Sequence, residues 1–181
     1  MSEYLTPYII TLDRNSPVVD LNVMKQHGVV GALIEIGFLY APVTHEKKGT
    51  LHNPQLMNQI NAVKDAGLDF GLFYYARARS SAEVHSEVSD MSSIIQLNYA
   101  TLGIWLKPDP NISDRMLDVY YDELGKLGVT SRIGLYCDKS YLSKINWSRH
   151  YFEWYLWLID PVQNLSELDG ILDPEFFNIE V

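Results

Sequence analysis

Asn53-Pro54-Gln55-Leu56-Met57-Asn58-Gln59-Ile60-Asn61-Ala62-Val63-Lys64-Asp65-Ala66-Gly67 runs directly into Leu68-Asp69-Phe70-Gly71-Leu72-Phe73-Tyr74-Tyr75-Ala76-Arg77. The first part predicts a helix from Pro54 to Ala66. Asn53 is its N-cap, Pro54 takes the first position with its fixed φ, and Gly67 stands just past the end. Leu56, Ile60 and Val63 fall on one face. The second part carries an apolar, aromatic run at Phe70–Tyr75, which predicts a strand.

Outward from this helix–strand unit the same alternation continues. Strand-like runs recur at Tyr8–Leu12, Val30–Ile36, Leu102–Leu106, Ile133–Cys137 and Tyr155–Ile159, and helical periodicity fills most of the gaps. Ser80-Ser81-Ala82-Glu83 reads as a capping box opening a helix whose core stripe is Val84, Val88, Met91 and Ile95. Another helix starts near Ser113, turns Met116, Tyr120, Leu124 and Leu127 inward, and ends around Gly128. Ala41–Asn53, with its Pro, Gly, His and Lys residues, reads as an inserted surface loop. A regular eight-unit β/α barrel needs about 250 residues, so 181 residues imply either a barrel lacking some helices or an open doubly wound sheet. The pattern leaves both open.

With 47% hydrophobic residues, one domain over residues 1–181 can bury a core without disulfides or metals. Cys137 is the single cysteine and has no nearby His or basic cluster to lower its pKa, so it reads as a buried inert thiol. His27, His45, His52, His85 and His150 are scattered and read as surface residues, and no metal or cofactor is expected. The net charge of -9 opposes binding to nucleic acid. No run approaches the ~20 apolar residues of a membrane span, and Met1-Ser2-Glu3-Tyr4 lacks the pattern of a signal peptide. The expectation is a protein of its producer's cytoplasm, or one released by lysis or packaged in a virion, with no membrane partner.

In parallel α/β folds ligands gather at the C-terminal ends of the strands. Asp13, Lys107, Asp109, Asp138 and Asp160 follow such runs; Glu35 lies inside the second, and Arg77 follows the third. Any one such Asp commonly caps a helix or closes a turn. Four at corresponding positions point instead to a polar rim able to supply the two carboxyl groups of glycoside hydrolysis. Phe73, Tyr74, Tyr75, Trp105, Tyr136 and Trp157 lie at or near the same ends, where aromatic faces suit sugar rings; the alternative is plain core packing.

Taken together these segments resemble glycoside hydrolase family 25, the Chalaropsis-type muramidases of phage endolysins and bacterial autolysins. Asn53-Pro54 through Ala66-Gly67 and Gly71 through Arg77 are similar to the family's D-P…A-G-L-x-x-G-x-Y-H-F-A-R segment, with Tyr74 in place of its His. Thr11-Leu12-Asp13-Arg14-Asn15-Ser16 resembles its G-I-D-V-S strand end, Gly134-Leu135-Tyr136-Cys137 its I-Y-T strand, and Leu156-Trp157-Leu158-Ile159 its L-W-I-A strand. Asp169-Gly170-Ile171-Leu172-Asp173 is similar to its closing G-I…V-D, which adds Asp173 to the site. The resemblance implies the family's irregular, reduced β/α barrel.

Where the family carries a D-x-E, with the Glu as proton donor, this chain reads Lys107-Pro108-Asp109. Asp109 is one methylene, about 1.5 Å, shorter than Glu, and a misplacement of ~1 Å can cost on the order of a hundredfold in rate. Lys107 is expected to pair with Asp13 and Asp109 and to hold Asp109 ionised, the opposite of what a general acid needs. The family's Glu after the second strand falls near Phe38, and its late W-Q-Y strand has no counterpart.

The resemblance therefore implies a catalytically degenerate lysozyme-like domain that binds peptidoglycan or a related glycan, in a phage or cell-wall setting with other such proteins as partners. Its expected contacts are Glu35, Tyr74, Tyr75, Arg77, Lys107, Tyr136, Asp138, Trp157, Asp160 and Asp173. One alternative is an active muramidase using Asp109 as acid with Asp13. Another is a protein-binding domain with a filled groove, presenting Tyr151, Phe152, Trp154, Tyr155 and Trp157.

Overall fold

The computed structural model describes residues 8–17, 19–40, 49–128, 132–138, 141, 144 and 155–158, with side chains omitted at 39–40, 49–51 and 155–158. Seven strands and four helices follow in the order β1 Tyr8–Leu12, α1 Leu21–Gln26, β2 Val29–Tyr40, β3 Gly49–His52, α2 Leu56–Asp65, β4 Asp69–Ala76, α3 Ser81–Leu97, β5 Gly103–Pro108, α4 Asp114–Lys126, β6 Ile133–Cys137 and β7 Tyr155–Leu158. Six strands form a parallel sheet ordered β1-β2-β4-β5-β6-β7. The second half of the expected surface loop is instead strand β3, which pairs antiparallel with the end of β2 that extends beyond β1.

The four helices decide between the two architectures left open above. Their buried apolar residues, among them Leu21, Ile60, Val63, Met91, Leu117 and Leu124, all join one cluster with Ala32, Ile34, Leu72, Tyr74, Leu106 and Leu135 from the strands. A doubly wound sheet carries helices on both faces; here they cover one. The other face closes on itself around Leu33, Phe73, Trp105 and Tyr136, with Ile9 and Tyr75 packed against them. Thr11 on β1 and Tyr136 on β6 share a hydrogen bond of 2.9 Å. Four strand spacings separate β1 from β6, roughly 19 Å on a flat sheet, beyond the reach of these two side chains. The sheet is therefore curled, with helices outside and an aromatic plug inside.

Local signals explain the elements. The Asn53 side chain accepts from the Gln55 N–H at 2.9 Å and its carbonyl from the Leu56 N–H, so the expected first turn of α2 is an Asx turn and the helix starts at Leu56, two residues late. Ser80 caps α3 through the Glu83 N–H, whereas the Glu83 carboxylate reaches the Arg79 N–H at 2.6 Å rather than that of Ser80. Glu87, with no exposure, lies on the buried stripe of α3. Inside the curl, Gly71 leaves room for its neighbours: a Cβ there would stand 2.7 Å from Leu33 Cδ2 and 3.2 Å from Trp105 Nε1.

Gly103 opens β5 at φ +95°, where a Cβ would meet the Arg132 carbonyl oxygen at 2.5 Å. Gly103→Ala is expected to lose on the order of 2 kcal/mol or more in urea unfolding, since it combines a left-handed backbone with a clash against main chain. A loss below ~0.5 kcal/mol would show that β5 can start another way.

Candidate functional site

The C-terminal strand ends bring Asp13, Arg14, Glu35, Phe38, Tyr75, Arg77, Lys107 and Tyr136 to one region. Strand alternation sets the inward positions: 73, 75 and 77 on β4 and its continuation, 105 and 107 on β5, and 136 on β6. The register places Phe73 beside Trp105 and Tyr75 beside Lys107. On β2 the register slips between Glu35 and Gly37, an irregularity of the bulge kind. The slip brings Phe38 opposite Tyr75, and the two rings meet edge to face at 6.3 Å.

The rim carboxylates are held locally, by a cation at Glu35 and by hydrogen bonds from nearby residues at Asp13 and Asp138. Glu35, 2% exposed, receives the Arg14 guanidinium through Nη2 and, at 2.9 Å, Nε, and also the Arg14 backbone N–H at 3.1 Å. Asp13 accepts from the Asn15 N–H at 2.8 Å and the Ser16 hydroxyl at 3.1 Å, a local turn. Asp138 accepts from the Tyr141 N–H at 2.9 Å. Phe38 carries two guanidinium groups, with Arg14 at 4.3 Å and Arg77 at 4.4 Å from the ring centre.

Asp109 does not pair with Lys107. Its Oδ1 accepts from Arg79 Nη2 at 2.8 Å, from the Asn111 N–H at 3.0 Å and from the Asn111 side-chain amide at 3.3 Å. Partial burial works to raise its pKa, but the Asn111 N–H and the Arg79 guanidinium outweigh it and hold the carboxyl below the usual aspartate value. The direction expected from sequence is right and its cause is different.

Lys107 turns inward instead. Its ammonium stands 5.0 Å from the Tyr75 ring centre, 5.3 Å from that of Tyr136 and 6.0 Å from that of Phe73, and 3.5 Å from the Tyr75 hydroxyl. Among the described residues neither Lys107 nor Arg77 forms an ion pair with a carboxylate. Burial, then the charges of Glu35 and Asp13, push the Tyr75 phenol up, against the pull of Arg77 and Arg14.

Tyr74 is removed from the expected contacts. It is fully buried on the helix side of β4, within the cluster that packs the helices, because its neighbours at 73 and 75 occupy the inner face. Phe73 and Trp105 lie on the inner face but are plug rather than rim: Phe73 has no exposure, and Trp105 donates its indole N–H to the Leu102 carbonyl at 2.7 Å. Trp157 pairs through its backbone with Tyr136, but its side chain lies outside the described residues, as do Asp160, Asp173, Tyr151, Phe152 and Trp154. Cys137 is buried, and burial, reinforced by Asp138, pushes its thiol up to about 12, which suits an inert thiol. Sequence reasoning passed over Arg14, Phe38 and Arg79 as site residues; the positions just after a strand end were the signal for Arg14 and Arg79. No group of His, Cys, Asp and Glu among the described residues could hold a metal, and no helix among them is long and apolar enough to cross a membrane.

A parallel sheet curled on itself, helices outside and polar residues at the carboxyl ends of its strands, defines a β/α-barrel-type fold of the kind that carries its site at that rim. Solved structures make the class narrower. The chain is similar to a muramidase from Acremonium alcalophilum, with a TM-score of 0.63 and 15% identity over 87% of this chain and 78% of that one. It is also similar to GHIP, a glycosyl hydrolase 25 of Streptococcus pneumoniae, at TM-score 0.63 and 14% identity over 78% and 63% of the two chains. A third similar structure is the modular autolysin LytC of Streptococcus pneumoniae in complex with a synthetic peptidoglycan ligand, at TM-score 0.58 and 13% identity over 75% of this chain. This chain spans about a third of the autolysin's length. No protein-family model matches the chain and no curated protein matches its sequence. The chain has the fold of the family 25 lysozymes.

Proposed function

We propose that this chain is a catalytically degenerate lysozyme-like module that holds peptidoglycan or a related glycan without cleaving it, in a phage or cell-wall setting. The observation that carries the reading is the state of Asp109. A glycosidase acid must arrive protonated, with its pKa raised. Asp109 is pulled the other way by Asn111 and Arg79. The second carboxylate available, Asp13, is occupied by Asn15 and Ser16, and Glu35 is locked to Arg14.

What remains suits binding. The partly buried Tyr75 offers ring surface, and Arg77, Lys107 and Asp138 offer polar groups around it; Trp157, Asp160 and Asp173, whose side chains lie outside the described residues, complete the proposed contact set. The muramidases of similar fold supply the ligand class. The test is sedimentation with purified peptidoglycan. The protein is expected to co-sediment, and Asp109→Asn to bind within about fivefold of the unmodified chain, since a partly exposed ion pair with Arg79 contributes no more than ~1 kcal/mol. Failure of the unmodified protein to co-sediment would contradict the reading and favour a domain whose partner is a protein.

A further inference from the structure

Arg77 and Lys107 stand out within this face as two cations held against one ring. Their charged groups lie 5.7 and 5.0 Å from the centre of Tyr75, and neither forms an ion pair with a described carboxylate. Among the other rim charges Arg14 pairs with Glu35 and Arg79 with Asp109, whereas Asp13 is held by neutral donors, the Asn15 N–H and the Ser16 hydroxyl. The chain as a whole carries -9, so two cations beside the ring cluster with no ion pair among the described residues are a local concentration of positive charge. Beyond Lys107 the rim continues into a concavity of about 60 Å³ between the ends of β5 and β6, whose polar lining includes Lys107, Lys144 and Asp138. That volume suits a group of a few heavy atoms, about two water molecules' share of liquid, and its lining carries two positive charges against one negative.

We propose that this face selects a glycan bearing an anionic group, a carboxylate or a phosphate, which Arg77 and Lys107 bind on either side of a sugar stacked at Tyr75. The inference rests on the reading of the face as glycan-binding. Arg77 contributes a planar fork of donors and Lys107 a point charge, and both interactions with an anion are charge-assisted. Lys107 thereby has a role other than disabling catalysis: it occupies the acid's neighbourhood with the charge an anionic ligand requires.

The experiment compares three oligosaccharides of equal length by calorimetry on the full chain: a neutral oligomer of N-acetylglucosamine, one containing N-acetylmuramic acid with its free carboxylate, and one carrying a phosphate. At low salt the anionic ligands are expected to bind at least ~10-fold more tightly than the neutral one. That advantage is expected to shrink as salt approaches ~0.5 M and to fall to within a few-fold in Arg77→Gln with Lys107→Gln, whose folding is checked by an unchanged thermal midpoint. A preference between carboxylate and phosphate identifies the source of the anion. Equal binding of all three, insensitive to salt and to both substitutions, would overturn the anion selectivity while leaving glycan binding intact. Binding of none would overturn the glycan-binding reading and this inference with it. Should the paired substitution lower the midpoint, Lys107→Gln alone is used, and retention of the full preference in it would also overturn the proposal.

Discussion

Arg14→Met is expected to destabilise the fold by about 3–5 kcal/mol at pH 7, because it leaves the carboxylate of Glu35 buried with its cation removed. Glu35 is 2% exposed and accepts three hydrogen bonds from Arg14, of which the substitution deletes the two from the guanidinium. The cost of an uncompensated buried charge exceeds the value of the pair itself, so adding Glu35→Leu to Arg14→Met is expected to recover most of the loss. Urea unfolding of the four members of this cycle measures the effect. A loss under ~1 kcal/mol in Arg14→Met would mean that Glu35 is hydrated or finds another donor, and the picture of a rim whose carboxylates are all engaged would fail at its most buried member.

The second large effect is a dependence of stability on pH set by Glu87. Burial between α3 and the sheet pushes its carboxyl up from 4.5 to about 7, against the hydrogen bonds of Tyr120 and Tyr74 and the positive charge of Arg77, with Glu83 adding to the rise. The Tyr120 hydroxyl donates to Glu87 Oε2, and burial and the charge of Glu87 raise the Tyr120 phenol far above its usual value. A raised folded-state pKa means that the folded protein binds the extra proton between about 4.5 and about 7. Its contribution to stability is complete below the unfolded value and lost as pH rises through the folded one, a change on the order of 3 kcal/mol. Glu87→Gln, which cannot ionise, removes this dependence. The stability of the unmodified protein minus that of the variant is therefore expected to fall between pH 4.5 and 8, and parallel curves would show that Glu87 stays ionised throughout.

The architecture was legible where local signals act alone. Strand positions came from apolar runs, and the inward faces of α2, α3 and α4 came from their spacing, because each depends on residues within one or two turns. The choice between a curled and an open sheet was not legible in pattern. It depends on which face the helices cover and on a contact between Thr11 and Tyr136, 125 positions apart. Strand β3 was hidden because Gly49-Thr50-Leu51-His52 is short and carries a single large apolar residue, although the Phe38-Leu39-Tyr40 extension of β2 that it pairs with is strand-like. The site was legible in outline only. The odd-numbered spacing of Phe73, Tyr75 and Arg77 assigns Tyr74 to the opposite face, and the three- and four-residue steps from Val84 to Val88 and Met91 place Glu87 on the core stripe. The partners of the charges were not available. That Arg79 rather than Lys107 holds Asp109, and that Arg14 holds Glu35, depends on how loops from different strands meet.

On the proposed function, the face binds its glycan and leaves the bond intact. Reducing ends released from purified peptidoglycan, measured on protein shown in the same preparation to co-sediment with it, test this most directly. Bound protein is expected, with release no greater than from Asp109→Asn. Release by the unmodified protein that vanishes in Asp109→Asn would contradict it, and would make the chain a muramidase working with a shortened acid.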